Sequence, residues 1–172
     1  MSATPIETHR FAGDGIVPNN PALPLVVYRG ALPQDGDRAG ACERMFAQHG
    51  WPDAWRNGIH GHHHYHSTAH EVLGIARGTA RVRLGGEGGQ TVELNAGDVV
   101  VIPAGIAHKR EAASSDLLVI GAYPRGQRPD MCHADSAVRD RAVAAIARVP
   151  LPAADPVTGR VDPLLLCWRE VP

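Results

Sequence analysis

The chain has 172 residues, a length that suits one domain, and 44% of them are hydrophobic, enough for a packed core. Lys and Arg number 17 against 18 Asp and Glu, for a formal net charge of −1, so the basic excess of a nucleic-acid binder is missing and nothing electrostatic draws the chain to an acidic membrane. No apolar run approaches the ~18 residues a spanning helix needs, and no basic stretch precedes an apolar core at the N-terminus, so a cytoplasmic protein with neither a membrane nor a nucleic-acid partner is expected.

In chain order, residues 1–24 carry little periodicity, and Val17-Pro18-Asn19-Asn20-Pro21 reads as turn and extended chain. Leu25–Tyr28 is a short strand of the kind that covers a sheet edge or pairs with a partner subunit. Asp37–His49 reads as a helix, capped by Asp35 or Asp37 and closed by Gly50, with an apolar stripe through Ala41, Met45, Cys42 and Phe46. Trp51-Pro52 stops it, and Trp55 is assigned to the core or a lid rather than to a ligand.

From Gly58 to Tyr123, short apolar runs alternate with Gly-rich turns, as in a sandwich or barrel. Strands are predicted at Glu71–Ala76, Ala80–Leu84, Thr91–Leu94, Val99–Ile102 and Asp116–Tyr123. In Ala80–Leu84 the alternation puts Ala80, Val82 and Leu84 on one face and Arg81 and Arg83 on a solvated one. Ser136–Val149 has helical spacing, a cap at Asp135 or Ser136 and a stop at Pro150. Pro152, Pro156 and Pro163 indicate an extended tail, and Leu164–Trp168 is apolar enough to dock. One structural domain is expected, with an N-terminal extension (1–57), a barrel core (58–124) and a C-terminal helix and wrapping tail (125–172). The 19 Gly and 14 Pro suit an all-β fold with many tight turns. Cys42, Cys132 and Cys167 form no C-x-x-C pair and are taken as inert thiols.

Six of the ten His fall between His60 and His70. On a strand, residues two apart share a face, so His62, His64 and His66 can point one way and His63 and Tyr65 the other. Glu71 returns to that inner face if Ser67–Ala69 makes a turn or bulge. A fourth donor, His108, emerges just past a buried strand and a Pro103-Ala104-Gly105 turn. Three imidazoles and a carboxylate suit one divalent transition metal: Mn, Fe, Co, Ni, Cu or Zn.

These segments resemble the two cupin motifs. In the first, Gly58 is followed after five residues by His64, then after one by His66, after four by Glu71 and after six by Gly78. In the second, Gly97 is followed after five residues by Pro103, then after one by Gly105 and after two by His108. Ala112 stands where the second motif closes on Asn, a position that holds no metal in the family pattern. The runs Trp55-Arg56-Asn57-Gly58, His63 to Gly74 and Gly121-Ala122-Tyr123-Pro124 are similar to the bacterial YjlB-type cupins, a likeness that covers nearly the whole chain. The resemblance implies a double-stranded β-helix barrel of jelly-roll kind, a metal on His64, His66, Glu71 and His108, and pairing into a homodimer. It leaves the chemistry open, because cupins include dioxygenases, isomerases and ligand-binding modules.

Three functions follow as expectations: a metalloenzyme acting on a small oxygenated or carboxylated molecule, a binding or sensing module whose metal anchors a ligand, and a structural metal site. His62 is an extra ligand, a proton relay or a lining residue. Tyr65 and Tyr123 are candidates for the substrate pocket. His70 is given a structural hydrogen bond, His60 and His63 are placed outside the site, and Lys109 and Arg110, which follow His108 and could reach the mouth, are given a surface role.

Overall fold

The structure is a computed structural model that describes residues 3–169. Its strands are β1 (Ile6–Phe11), β2 (Asn20–Tyr28), β3 (Trp55–Asn57), β4 (His64–Tyr65), β5 (Glu71–Arg77), β6 (Thr79–Leu84), β7 (Gln90–Asn95), β8 (Val99–Ile102), β9 (His108–Ala113), β10 (Leu118–Ala122) and β11 (Cys132–His133). The helices are α1 (Arg38–Gln48), α2 (Ser136–Ile146) and α3 (Leu164–Arg169). A six-stranded sheet runs β1-β2-β8-β5-β10-β3, and a five-stranded sheet runs β11-β4-β9-β6-β7. All the recorded pairings are antiparallel, and the two sheets face each other as an all-β jelly roll.

The two sheets differ in what they bury, and the sequence shows it. On β6 the alternation of exposed and buried residues is clean: Ala80, Val82 and Leu84 point in, while Arg81 and Arg83 point out. The six-stranded sheet is covered on both faces, so β5 and β8 read as continuous apolar runs. Leu25, Val27, Leu73, Ile75, Val100 and Ile102 fill the space between the sheets. Val26, Tyr28, Val72, Val99 and Val101 face the other way, under α1, Trp51 and α3.

α1 starts one residue later than read from the sequence, with Asp37 as its cap: the Asp37 carboxylate accepts the Gly40 N–H at 2.9 Å. Its buried side is Ala39, Gly40, Cys42 and Phe46, while Ala41 and Met45 are only partly covered, a rotation of the expected stripe. The helix seats closely because β5 offers Gly74 beneath it; a Cβ there would lie 2.5 Å from Cys42 Sγ.

The structure holds elements beyond those read from the sequence. β1 lies in the stretch read as aperiodic, and as a mostly exposed edge strand it has no apolar alternation to reveal it. β9 reads His-Lys-Arg-Glu-Ala-Ala and buries only its first residue, so it too lacks a strand pattern. The tail is extended as expected, but Leu164–Arg169 closes it as a helix, burying Leu164, Leu165 and Trp168. Buried Asp155 ties the tail down. Its carboxylate accepts from the Tyr28 hydroxyl, the Leu164 N–H at 3.1 Å and the Val157 N–H at 2.7 Å. Among the described residues no helix is long and apolar enough to cross a membrane.

The run Val17–Pro21 is more than a turn. Asn19 and Asn20 are buried and brace the segment that delivers His108. The Asn19 amide donates to the Ala12 and Gly85 carbonyls at 2.9 and 3.0 Å, and its oxygen accepts the Ala107 N–H at 3.1 Å. The Asn20 amide donates to the Ala104 carbonyl at 3.0 Å. Gly105 lies between these braces at φ +95°, and a Cβ there would stand 2.5 Å from the Asn19 carbonyl oxygen, so the turn requires glycine.

Asn19 itself has φ +47°, so bracing and backbone conformation can be separated. Asn19→Gly relieves the backbone but orphans two buried groups, the Gly85 carbonyl and the Ala107 N–H, and we expect a loss of about 2–3 kcal/mol by urea unfolding. A neutral or stabilised variant would show that the side-chain bonds do not hold the turn.

Candidate metal centre

Four donors arrive from both sheets. His64 begins β4 and lies directly opposite His108, the first residue of β9; His133 of β11 faces His64 from the other side. His66 follows just beyond β4. Glu71 opens β5, where parity with Leu73 and Ile75 aims it between the sheets. All four are buried, at 2–6% exposure, and they form the floor of a cavity of about 340 Å³.

Each imidazole is held by its Nδ1. His64 Nδ1 lies 3.2 Å from the His62 carbonyl, His108 Nδ1 lies 3.0 Å from the Ile106 carbonyl, and His66 Nδ1 meets the Asp130 carbonyl. A carbonyl oxygen only accepts, so Nδ1 carries the proton in each ring. In the neutral imidazole Nε2 is then a bare acceptor. One nitrogen from each of the three rings lies within 4.8 Å of the others. Glu71 Oε2 approaches at 3.2 Å from His108 Nε2 and 3.4 Å from His66 Nε2, yet has no hydrogen-bond partner.

With every ring neutral the four atoms are all acceptors, and they repel one another unless a cation, a proton or a metal ion, joins them. Donors about 2.1 Å from one ion stand roughly 3.0–3.4 Å apart at octahedral to tetrahedral angles, the separation that Glu71 Oε2 keeps from His108 Nε2 and His66 Nε2. The three buried imidazoles could therefore hold a metal ion, and Glu71 Oε2 stands beside two of them.

The electrostatics agree. Burial, then the charge of His108 nearby, pushes His64 down to about 3, so its ring stays neutral. Burial opposes charge on Glu71, but His108 and His66 outweigh it and hold the carboxyl well below the usual range. Burial also works against charge on His66, and Glu71 outweighs it, drawing His66 up. The site can thus hold a proton on His66 where the ion would sit, and binding a metal releases it.

The surrounding contacts orient these ligands. Asp130 supplies its carbonyl to His66, while its carboxylate accepts from the Ser67 N–H at 2.6 Å and from the Ser67 hydroxyl. Tyr123 donates its hydroxyl to Glu71 Oε1 at 3.3 Å and accepts from the Trp55 indole at 3.1 Å. The pair uses one carboxylate oxygen and leaves Oε2 facing the imidazoles. Trp55 fits there because Gly121 has no side chain: a Cβ would lie 2.0 Å from the indole ring.

The structure corrects several expectations. Tyr65 does not line the cavity. It follows His64 on β4, so it faces outward and packs against Val17, Ala107 and Ala142. His62 does not point inward either. β4 begins only at His64, so strand parity does not reach back to His62, which is exposed and sits with its ring 5.1 Å from His60 and 5.2 Å from His133. Conversely, His60, Trp55 and Arg110 line the cavity, although the sequence put the first outside it, gave the last a surface role and made Trp55 a core or lid residue. The alternation of β9 was the available signal for Arg110, hidden because the strand itself went unread. Tyr123 lines the cavity as expected. His63 stays outside and pairs with Glu87 at 2.6 Å. His70 has the structural role assigned to it: its Nδ1 accepts the Ala104 N–H at 2.9 Å, and its ring lies 4.7 Å from that of Trp168.

With this geometry in hand, the comparisons are specific. A family model described as the cupin domain matches residues 55–120. "Uncharacterized protein YjlB" of Bacillus subtilis (strain 168) is 44% identical over 162 residues, covering 94% of this chain and 96% of its own. Among solved structures, the chain is similar to the WlaRB TDP-quinovose 3,4-ketoisomerase from Campylobacter jejuni, with TM-score 0.42 and 12% identity over 54% of this chain and 74% of that one. It is also similar to acireductone dioxygenase from Bacillus anthracis with a cadmium ion in its active center, with TM-score 0.38 and 18% identity over 52% of this chain and 61% of that one. The matched domain holds all four donors, the identity extends over both ends of the fold, and the chain belongs to the cupin family, alongside YjlB.

Proposed function

We propose that the protein is a cupin metalloenzyme that holds one divalent transition metal on His64, His66, Glu71 and His108 and acts on a small oxygenated or carboxylated molecule. The observation that carries this reading is the convergence of three Nδ1-anchored imidazoles and an unpartnered Glu71 oxygen on the floor of an open cavity. A structural metal site is closed by its ligands, whereas this one faces a space that a substrate can enter. When bound, the ion supplies a Lewis-acid or redox centre for a substrate oxygen.

The rest of the chemistry belongs to the chain. Tyr123 keeps a hydroxyl at the cavity wall beside Glu71, with its proton on Oη: burial, then the Glu71 charge, pushes the phenol up. Trp55, Ile59 and Met131 give the cavity an apolar side that excludes water from part of the ligand. His62, in solvent, is at most a relay at the mouth. The noncatalytic alternative, a module that binds a ligand through the metal, uses the same residues. It is distinguished by turnover: oxygen uptake or product formation with a panel of small hydroxy and oxo acids supports the enzyme, while calorimetric binding without conversion supports the module. The cavity also suits the expected small-molecule partner. We also propose that the protein is a homodimer and acts in the cytoplasm.

Elemental analysis of untagged protein is expected to find close to one equivalent of transition metal in wild type and little in His64→Ala/His66→Ala. Metal-free wild type from metal-rich medium, or equal content in both, would falsify the metal reading. For Tyr123→Phe we expect metal affinity to fall by about tenfold, because the outer partner of Glu71 is lost. Unchanged affinity in a metal-competition titration would show that the 3.3 Å bond does not orient the carboxylate.

A further inference from the structure

The cavity has two poles of charge, and only one of them belongs to the metal centre. β9 sets this up. His108 points inward, so Arg110, two residues on, shares its face. Lys109 and Glu111 take the outer face, where both have partners: Lys109 meets Glu87 at 3.3 Å, and Glu111 meets Thr91 at 2.9 Å and Arg83 at 4.0 Å. Arg110 has none. Its backbone N–H donates to the His60 carbonyl at 2.8 Å, but its guanidinium forms no ion pair or hydrogen bond with any of the described residues. It lies at the cavity lip over Gly61, where an added Cβ would stand 3.4 Å from a guanidinium nitrogen.

The other groups on the wall do not offset it. Apart from the imidazoles, the charged residues that line the cavity are Glu71 on the floor and Arg110 at the lip. A divalent ion on Glu71 and three neutral imidazoles would keep one unit of positive charge, and Arg110 adds a second. The rest of the wall is mixed, with Trp55, Ile59, Leu73 and Met131 as its apolar part and Asn57, His60 and Tyr123 as its polar part.

We propose that the ligand of this cavity is a small organic dianion, one anionic oxygen group on the metal and a second on Arg110, with a short apolar linker between them. This deepens the metal reading above and rests on it. A guanidinium fork matches a carboxylate or a phosphoryl group in two parallel hydrogen bonds, so the second anionic group can come from either source. Arg110 is therefore a specificity-determining residue. It selects two-headed acids over one-headed ones, and a carboxylate or hydroxyl on the metal alone does not need it.

The test uses full-length protein loaded with one equivalent of zinc, checked by elemental analysis, and calorimetric titration with oxalate, malonate, succinate and phosphonoacetate against acetate and propionate. We expect at least one dianion to bind about tenfold or more tightly than the monocarboxylates, the gain ordinary for a charge-assisted bond. Arg110→Gln should remove that gain and leave acetate binding and zinc content unchanged, and Arg110→Lys should keep part of it. Arg110 is exposed, so neither variant should disturb folding. A preference for phosphonoacetate supports a phosphorylated acid, and one for a dicarboxylate supports a diacid. Zinc-loaded protein that does not discriminate, or an Arg110→Gln variant within twofold of wild type for every dianion, overturns this proposal alone. Protein that takes up no zinc overturns it together with the metal reading.

Discussion

A carboxylate buried among three imidazoles that are each anchored through Nδ1 is the constraint on which the rest of this structure depends. Glu71 is 3% exposed, and desolvation by itself would drive it neutral. It stays ionised only if positive charge sits beside it. The backbone decides that this charge is not simply hydrogen bonding: three carbonyls take the Nδ1 protons of His64, His66 and His108 and turn each Nε2 into an acceptor. The acceptors and the carboxylate then share one need, which a divalent cation meets. The same contacts fix the ring orientations before any ion arrives, so binding loses little side-chain entropy.

Such a site has to be assembled across two sheets, and the fold spends its polar side chains on that task. His64 and His108 face each other on neighbouring strands of one sheet, and Glu71 reaches over from the other. The segment before His108 is not free to drift, because Asn19 and Asn20 fasten it to the N-terminal strap and His70 accepts from Ala104 in the same turn. Asp130 fastens His66 and Ser67, and Tyr123 with Trp55 fastens Glu71. Removing one of these braces frees the direction of the side chain it holds and, at a buried position such as Asn19, also costs fold stability.

The two faces of the larger sheet explain why the ends of the chain are so long. A sheet buried on one side needs only its opposite sheet. This one also buries Val26, Tyr28, Val72 and Val101 outward, and α1, Trp51 and α3 are needed to cover them. Asp155 secures that cover. Burial and the Asp155 carboxylate push the Tyr28 phenol far up, so it stays a donor to that carboxylate at any ordinary pH.

Most barrel strands were legible because alternation or continuous apolar character is a local property, and so was the convergence of His64, His66 and His108, whose spacing within two short motifs survives in the chain whatever the fold does around them. Asp37 and Asp135 as helix caps were legible for the same reason: a cap acts within three residues. Elements whose stability comes from pairing alone left no such trace: β1 and β9 are mostly exposed strands, and a strand with polar residues on both faces has no period to read. The inward turn of Arg110, the outward turn of Tyr65 and the exposure of His62 all follow from where β4 and β9 begin. Hydrogen bonds between distant segments set those limits. Sequence by itself therefore determined which donor residues the chain offers and how they are spaced, since donor chemistry and spacing are covalent properties. Tertiary structure decided what else shares the cavity, because facing depends on register, and register is fixed only when the strands meet.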